Sequence, residues 1–593
     1  MSNTEYETIT SDQLIDINTN FKIIAGPGAG KTYWLVRHIK HVLEESKILK
    51  SASKIACITY TTVAAEEINN RLKANSDRVE ISTIHSFLYN NVIKPYIYLL
   101  KDENEKCIVN YIKLDGHVEN VPSNGKIIQW KKINNLFHFK DDNKIKKCLM
   151  DLDWSLKDQE LLLKVRKDYN RKVGRYYIKE ECFPSYKQLF WDEGIIHHED
   201  VLYFSFNLLE QYPMIKEFLS AKYPYIFLDE FQDTNPIQTQ IIKWLGEAGS
   251  LTGVIGDPAQ SIYKFQGASR KDFLEFNLLN QKNYKIEKNR RSTENIIKIL
   301  NHLRNGDNIN QSCYRANLGN DVLYIVSNDT NYIINKFKEV RKAIGCYKDY
   351  CIITRKNDDV IKLKNGDKSC DCKLWDKVFE CDFSRGRFLK NLFTAQELAV
   401  EDRYEMAIKE VLKLFKSNRD GKLREPFKST IEITNLQKRS YAVSILEHLL
   451  NNREGNMNVK LLDFYNRLNN DVLESLNLQI SKVGSRGKAK TCYESVILKD
   501  LISNLKLDEE KESKIRTIHK TKGTEFESVL VCIESNDDIE NIISPNIENE
   551  EDDCRLYYVA SSRAKDLLCI AVPEGSQEKK LKEIGLVSMI DNI

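Results

Sequence analysis

Proline and glycine are scarce in this sequence, 11 and 24 among 593 residues. Long flexible linkers built from either are not expected, so regular elements should follow one another closely. No apolar run approaches the roughly 20 residues that a membrane-spanning helix needs. The first residues, Met1-Ser2-Asn3-Thr4-Glu5, are polar and lack the basic start and apolar stretch of a signal peptide. No internal repeat is visible. An excess of one charge sign is missing too. With 89 Lys and Arg against 86 Asp and Glu, the net charge is only +3. That excludes a uniformly cationic coat, while a local basic groove remains open.

What is present is a soluble globular profile, 41% hydrophobic and 30% charged. At about 100–200 residues per domain, the length suggests three to five domains. Fourteen cysteines without an export signal read as reduced thiols of a cytoplasmic protein. Cys370, Cys372 and Cys381 cluster, but no fourth cysteine or histidine lies nearby in sequence. They read as ordinary thiols rather than a metal site.

Short apolar, β-branched runs occur at 21–25, 54–60, 223–228, 252–256, 321–326, 350–354 and 527–533. Most lead through a loop into a helical pattern, which predicts parallel sheets covered by helices. The runs form two groups, before and after about residue 285, and so two α/β cores. Residues 93–195 and 371–505 lack the alternation and read as mainly helical insertions. The acidic stretch 534–553 reads as a solvated loop.

One loop carries recognisable chemistry. The strand Phe21–Ile24 runs into Ala25-Gly26-Pro27-Gly28-Ala29-Gly30-Lys31-Thr32 and a helix. This is the P-loop pattern, with Ala25 where the strict form has Gly. Its backbone N–H groups and the helix N-terminus cradle phosphate oxygens. Lys31 can reach the β- and γ-phosphates, and Thr32 can ligate Mg²⁺. The apolar strand Tyr225–Leu228 ends in Asp229-Glu230. Asp229 can hold Mg²⁺, and Glu230 can polarise the attacking water as general base.

Asp229-Glu230-Phe231-Gln232-Asp233-Thr234 resembles the second motif of the UvrD/Rep/PcrA family of superfamily-one DNA helicases. Other motifs of that family follow in order: Gln13; Ile58-Thr59-Tyr60-Thr61 with Ala64-Ala65; Thr83-Ile84-His85-Ser86-Phe87; Gly256 to Gly267; Asn289-Arg290-Arg291-Ser292-Thr293; Thr517 to Phe526; and Arg555 to Ala564. The set spans almost the whole chain.

The resemblance implies two RecA-like cores, each with an inserted subdomain. The first core would be 1–92 with 196–284, its insertion 93–195. The second would be 285–370 with 506–593, its insertion 371–505. ATP with Mg²⁺ would lie between the cores. Lys31, Asp229, Glu230, Gln260, Arg291 and Arg563 would form the catalytic set, the two arginines as fingers from the second core and Gln260 as γ-phosphate sensor. Gln13, Ala25, Gly26, Gly28, Ala29, Gly30, Lys31, Thr32, Tyr33, Arg290 and Glu525 would contact nucleotide, Gln13 on adenine and Glu525 on ribose. Arg555 would make a salt bridge within its motif. Tyr60, Thr61, His85, Tyr263, Phe265, Thr517 and His519 would line the DNA path. Either histidine could instead be a buried hydrogen-bonded one.

Two positions depart from the family. Arg290 stands where Tyr often stacks on adenine, although a guanidinium plane also stacks. Gln266 stands where Arg is frequent. Basic clusters at Lys126–Lys147 and Lys164–Lys179, and around Lys482–Lys490, face few carboxylates in sequence and are candidates for backbone contact.

The function implied is an ATP-dependent 3′→5′ translocase that unwinds duplex DNA. A second reading is a DNA-stimulated ATPase subunit beside a separate nuclease in anti-phage defence, as in Gabija-type systems. The chain ends soon after Ala564, which leaves no room for an appended nuclease. A P-loop kinase or switch would not need Gln260, Arg291 and Arg563 in these contexts.

Overall fold

The apolar runs alternate between two buried faces, and that alternation builds the architecture. The computed structural model describes residues 6–589 apart from 73–76, 308, 366–373, 401, 416–422, 424, 429–432, 506–512 and 549–551. The chain divides into two units. One comprises Met1–Asn328, Tyr332–Arg355 and Thr517–Ile593; the other comprises Asp329–Asn331 and Lys356–Arg516.

In the first unit a seven-stranded sheet is made of β1 (Glu7–Ile9), β2 (Phe21–Ala25), β3 (Ile55–Thr59), β4 (Val79–Thr83), β5 (Tyr225–Leu228), β6 (Leu251–Gly256) and β7 (Lys282–Ile286). The spatial order is β1-β7-β2-β6-β5-β3-β4, and every pairing is parallel. Ile23, Ile55, Cys57, Tyr225, Phe227 and Ile255 point into a core with Trp34 and Ile39 of the helix Lys31–Glu45. Ile24, Ala56, Ile58, Ile226, Leu228 and Val254 point to the other face. Both faces are thus covered, as a parallel sheet requires.

The second face is continuous with the core of residues 93–195, through Phe87, Trp130, Tyr186, Phe204 and Leu208. Trp130 is fully buried, and its indole N–H donates to the Cys182 carbonyl at 2.7 Å. Truncating such a residue costs about 3–5 kcal/mol.

A six-stranded sheet follows: β8 (Val322–Val326), β9 (Tyr350–Thr354), β10 (Ile515–Thr517), β11 (Phe526–Cys532), β12 (Ala564–Val572) and β13 (Leu586–Ser588), in the order β10-β9-β11-β12-β8-β13. The pairs β9–β11, β11–β12, β8–β12 and β8–β13 are parallel. Two parallel sheets flanked by helices make two RecA-like cores. Taken by itself, the second unit is built of helices around Trp375, Phe388, Leu392, Phe464, Tyr465 and Tyr493. Its longest helices are Phe383–Val400 and Asn435–Asn451.

One expectation needs an addition and two need correction. Residues 93–195 carry two antiparallel hairpins, Leu152–Lys157 with Glu160–Val165 and Lys172–Val173 with Tyr176–Tyr177. Leu152 and Trp154 alternate inward, and Asp158 and Gln159 both take positive φ, the signature of a tight hairpin turn. The three consecutive leucines at 161–163 obscure that alternation in the sequence.

The acidic stretch is not simply a loop. Ser535 caps a helix, Asn536–Ile543, that buries Ile539 and Ile542, and Asp538 pairs with Arg355 at 2.6 Å.

The basic clusters are less free than their local sequence implies. Lys131 and Lys146 are buried. Lys126 pairs with Glu193, Arg166 with Asp153, and Arg171 with Asp168 and Glu180. Glu193, Asp153 and Glu180 lie outside the clusters and are brought in by the fold, whereas Asp168 is a local partner three residues away. Cys370 and Cys372 lie outside the described residues, and Cys381 is a free thiol. No helix among the described residues is long and apolar enough to cross a membrane.

Candidate active site

Strand order places the chemistry. β2, β6 and β5 are neighbours. β2 leads into the P-loop, β6 ends beside Asp257 and β5 ends beside Asp229. All three therefore deliver their loops to the carboxyl edge of the sheet, where ligands of open α/β sheets bind. Gly28 has φ 69°, which a side chain rarely adopts. Gly26 is needed for closeness instead, since a Cβ there would lie 2.4 Å from Gln311 Nε2.

Lys31 Nζ donates to the Ala25 carbonyl at 3.2 Å, folded back along the loop. Thr32 Oγ1 donates to Asp229 Oδ2 at 3.4 Å, so the two metal-type oxygens already face each other. Glu230 adopts a left-handed backbone, φ 53°, uncommon for a non-glycine residue and typical of functional turns. Its carboxylate accepts from Gln232 Nε2 at 2.5 Å. Burial and the Glu230 charge push Asp229 up. Burial would raise Glu230 as well, but Lys31, Lys522 and the Gln232 hydrogen bond outweigh it and hold Glu230 ionised. Two adjacent carboxyls are driven apart in acidity, a pattern of acid–base sites.

The second sheet contributes from its own edge. β11 and β12 are parallel neighbours, so Glu525 and Arg563, which immediately precede them, lie side by side; Phe526 N–H donates to the Arg563 carbonyl at 2.9 Å. Arg563 is 2% exposed and donates from Nη2 to Gln260 Oε1 at 2.9 Å. Burial first, and the neighbouring Arg291 second, lower Arg563 to about 9. Arg291 donates to Glu525 Oε2 at 2.7 Å and to the Ser562 carbonyl at 3.1 Å. Glu525 also pairs with Lys565 at 2.7 Å. It is fully engaged by cations here.

Asn289 Oδ1 accepts the backbone N–H groups of Arg291 and Ser292, fixing this turn. Arg290 N–H donates to the Gly28 carbonyl at 2.8 Å, and Gln311 Nε2 to the Pro27 carbonyl at 3.1 Å. The segment that joins the two sheets therefore meets the P-loop directly.

At the other end of the loop, Gln13 Oε1 accepts from Thr10 N–H at 2.7 Å, and its carbonyl accepts from the Trp34 indole. Arg290 pairs with Asp12 and lies 4.1 Å over the Tyr314 ring. Tyr33, 43% exposed, is 6.0 Å from the same guanidinium. Planar groups thus surround an open edge next to Gln13. Ala29 is buried beneath the loop.

An aromatic row lies past Gln260. Tyr60 and Tyr263 stack at 5.3 Å with 21° between planes, and the Tyr60 hydroxyl donates to Gln266 Oε1 at 2.7 Å. Phe265, more than half exposed, lies 6.0 Å from Tyr263 and meets the His519 ring edge-on at 5.2 Å. His519 Nε2 contacts the Ile262 carbonyl at 3.2 Å. Thr61 is exposed at the start of the helix Thr62–Leu72, whereas Thr517 is buried at the start of Ile518–Thr521. His85 is not part of the row; it lies by His117 and His198, and burial lowers it to about 4.

Similarity to known proteins agrees with this layout. Residues 7–285 match the UvrD/REP helicase N-terminal domain, and residues 483–575 match the UvrD-like helicase C-terminal domain. The chain is 24% identical to Gabija protein GajB of Bacillus cereus (strain HuB5-5), over 96% of each chain. It is 26% identical to a probable DNA helicase II homolog of Mycoplasma pneumoniae, over 92% of this chain and 81% of that one. ATP-dependent DNA helicase PcrA of Staphylococcus aureus is 25% identical over 56% of this chain and 46% of its own.

The chain belongs to the UvrD/Rep/PcrA-like helicase family. Within that family frame, several residues that sequence reasoning passed over now stand out. Lys522 bonds Asp233 at 2.5 Å and the Gln260 carbonyl at 2.8 Å. Burial raises Asp233 to about 7 despite that partner. Gln232 joins Glu230 to the Asp257 N–H, which it accepts at 3.0 Å. These three sit inside helicase motifs, so the motif was the available signal. Tyr314 and Gln311 sit in none, and nothing in the sequence marks them. Arg555 bonds Asp552 at 2.5 Å, three residues before its motif rather than inside it, and the Ser261 carbonyl at 2.9 Å, a buried tie to another helicase motif.

His197, Glu199 and Asp200 converge as metal ligands would. The Lys187 ammonium fills that space, 2.5 Å from Glu199, 2.9 Å from Asp200 and 3.2 Å from His197 Nδ1. This is a buried ion-pair network beneath the first core.

Proposed function

We propose that this protein is an ATP-driven motor that moves 3′→5′ on single-stranded DNA and unwinds duplex ahead of it. The observation that supports an ATP-driven motor is the Arg563–Gln260 hydrogen bond, which ties the second core to a loop that continues into the aromatic row, while the 3′→5′ direction is what the family resemblance implies. A residue that meets phosphate charge and a residue that meets bases then share one short segment, Gln260 to Phe265. Cleft closure and DNA grip are coupled through it.

ATP with Mg²⁺ fits the donor set. Arg563 and Arg291 are neighbouring cations, one of them buried, and an anion between the cores relieves their mutual cost. Bound Mg²⁺ supplies charge neutralisation for the transferring phosphoryl group. Thr32 and Asp229 hold it, Lys31 binds the phosphates, and Glu230 accepts the proton of the attacking water. Arg291 and Arg563 act as fingers, Gln260 senses the γ-phosphate, and Gln13, Tyr33 and Arg290 hold the base. Glu525 meets the ribose in this assignment after releasing one of its cations. Tyr60, Tyr263, Phe265 and His519 form the stacking track, with Thr61 exposed on its backbone side, while Thr517 and His85 support the path from behind.

The domain assignment we adopt is 1–92 with 196–284, and 285–370 with 506–593, as cores, and 93–195 and 371–505 as insertions. The test is ATP turnover with and without single-stranded DNA. DNA-stimulated turnover that Lys31→Ala abolishes supports the reading. Turnover that DNA does not change contradicts it.

A second reading is favoured by the match to Gabija protein GajB over nearly the full length of both chains. Here the ATPase is a DNA-sensing subunit of an anti-phage complex, with the nuclease a separate protein. Co-expression with the product of the neighbouring gene separates the two. A stable nuclease complex in which the chain hydrolyses ATP but displaces no strand favours the second.

A further inference from the structure

Arg304 terminates the helix Glu294–Leu303, whose other end follows Arg290 and Arg291. It belongs to none of the recognised motifs. Its side chain is 1% exposed. Nη2 donates to Asp257 Oδ1 at 3.3 Å and to Asp307 Oδ2 at 2.6 Å, and Nη1 donates to the Tyr558 hydroxyl at 2.8 Å. Tyr558 in turn donates to Asp257 Oδ2 at 3.4 Å. The same Asp257 oxygen accepts from Gln260 Nε2 at 2.8 Å.

This chain of contacts has a direction. The Gln260 side chain is an amide with a donor end and an acceptor end. Its donor end is on Asp257 and its acceptor end is on Arg563. Turned over, the amide would place its oxygen against a carboxylate and its NH₂ against a guanidinium. Asp257 on one side and Arg563 on the other therefore fix the same orientation of the amide. Asp257 is fully buried. A buried carboxylate stays charged only with a cation and a full set of donors around it. Arg304 is that cation, and Tyr558 and the Ala259 N–H complete the donors. Arg304 also reaches the phosphate loop, since a Cβ on Gly26 would come within 2.9 Å of its Nη1.

We propose that Arg304 is a positioning residue for ATP hydrolysis, acting through Asp257 to hold the Gln260 amide with its oxygen toward Arg563. This rests on the ATPase reading above. Arg304 touches neither nucleotide nor DNA in this scheme. Its effect belongs to the transition state, where the Gln260–Arg563 geometry must be correct, and not to ground-state binding.

The experiment is a double-mutant cycle on DNA-stimulated ATP turnover, with wild type, Arg304→Met, Gln260→Ala and the double variant. ADP and ADP–aluminium fluoride affinities are measured on each. The expected result is a kcat loss of about 10²-fold for Arg304→Met, the scale of removing one preorganised polar group, with the KM for ATP and the ADP affinity nearly unchanged. Affinity for ADP–aluminium fluoride falls in step with kcat, and the double variant is no slower than Gln260→Ala alone. Arg304→Lys recovers part of the rate.

Should Arg304→Met fail to fold, Tyr558→Phe, which removes only the hydroxyl between Arg304 and Asp257, runs the same cycle. Losses that multiply in the double variant, or ADP affinity that falls together with that of ADP–aluminium fluoride, overturn the proposal while leaving the ATPase reading intact. A wild-type chain without ATP turnover overturns both.

Discussion

Arg563 and Gln260 are joined by a 2.9 Å hydrogen bond from Nη2 to Oε1, although they are separated by most of the second core in sequence. The other arms of Arg563 donate to the Val559 carbonyl at 3.0 Å and the Thr524 carbonyl at 3.3 Å. The guanidinium is therefore aimed by its own core and read by the other one. Replacing Arg563 with Ala should lower kcat for ATP by roughly 10³–10⁵-fold, the range of an arginine finger, with a far smaller change in KM. Steady-state turnover at saturating DNA measures it. A loss confined to KM would assign Arg563 to ground-state binding.

The Arg290 guanidinium lies over the Tyr314 ring at 4.1 Å and is held by its pair with Asp12. A base stacked beside Tyr33 would meet that plane. Tyr314→Ala should raise the KM for ATP several-fold and leave kcat close to wild type, because uniform binding is removed. Comparing ATP with GTP on the same variant reads the base directly. Equal changes for ATP, GTP and inorganic triphosphate would place Tyr314 away from the base.

Tyr263 stacks on Tyr60, and Phe265 is exposed beside His519. Base–aromatic stacking is worth about 1–3 kcal/mol per base. Phe265→Ala should therefore weaken single-stranded DNA binding by roughly 5- to 150-fold at fixed salt. Fluorescence anisotropy with a labelled oligonucleotide measures it. Unchanged affinity would remove Phe265 from the track.

His38 is buried against Trp34, its rings stacked at 4.8 Å, and its Nδ1 has no partner. Burial, and then the nearby His41, lower it to about 3 from an ordinary 6.5. The unfolded chain binds this proton first as pH falls. His38 therefore contributes stability that is present above pH 6.5 and is lost on going down toward 3. Between pH 7 and 5 that is about 2 kcal/mol. The unfolding midpoint of His38→Leu should depend less on pH across that window than wild type. A parallel pH dependence would assign the acid sensitivity elsewhere.

Much of this was legible in the sequence, for a physical reason. Ile23 and Ile24, or Phe227 and Leu228, are apolar side by side because both faces of a parallel sheet are buried. Such runs, each followed by a loop and a helix, announce the cores. The motif residues are legible because phosphate chemistry constrains residue type at fixed spacing. Other features depend on distant partners and were hidden. The hairpin at Asp158 and Gln159 competes with a helical-looking leucine run. Lys126 finds Glu193 only in the folded chain. Arg304 looks like any arginine at a helix end until Asp257, Asp307 and Tyr558 surround it.

The proposed motor couples ATP hydrolysis between the two cores to directional movement on DNA. Strand displacement on duplexes with a single 3′ or a single 5′ tail tests it most directly, with wild type beside Glu230→Gln. We expect ATP-dependent displacement from the 3′-tailed duplex alone, and none with Glu230→Gln. Displacement only from the 5′ tail, or none from either tail while ATP turns over, would contradict the claim.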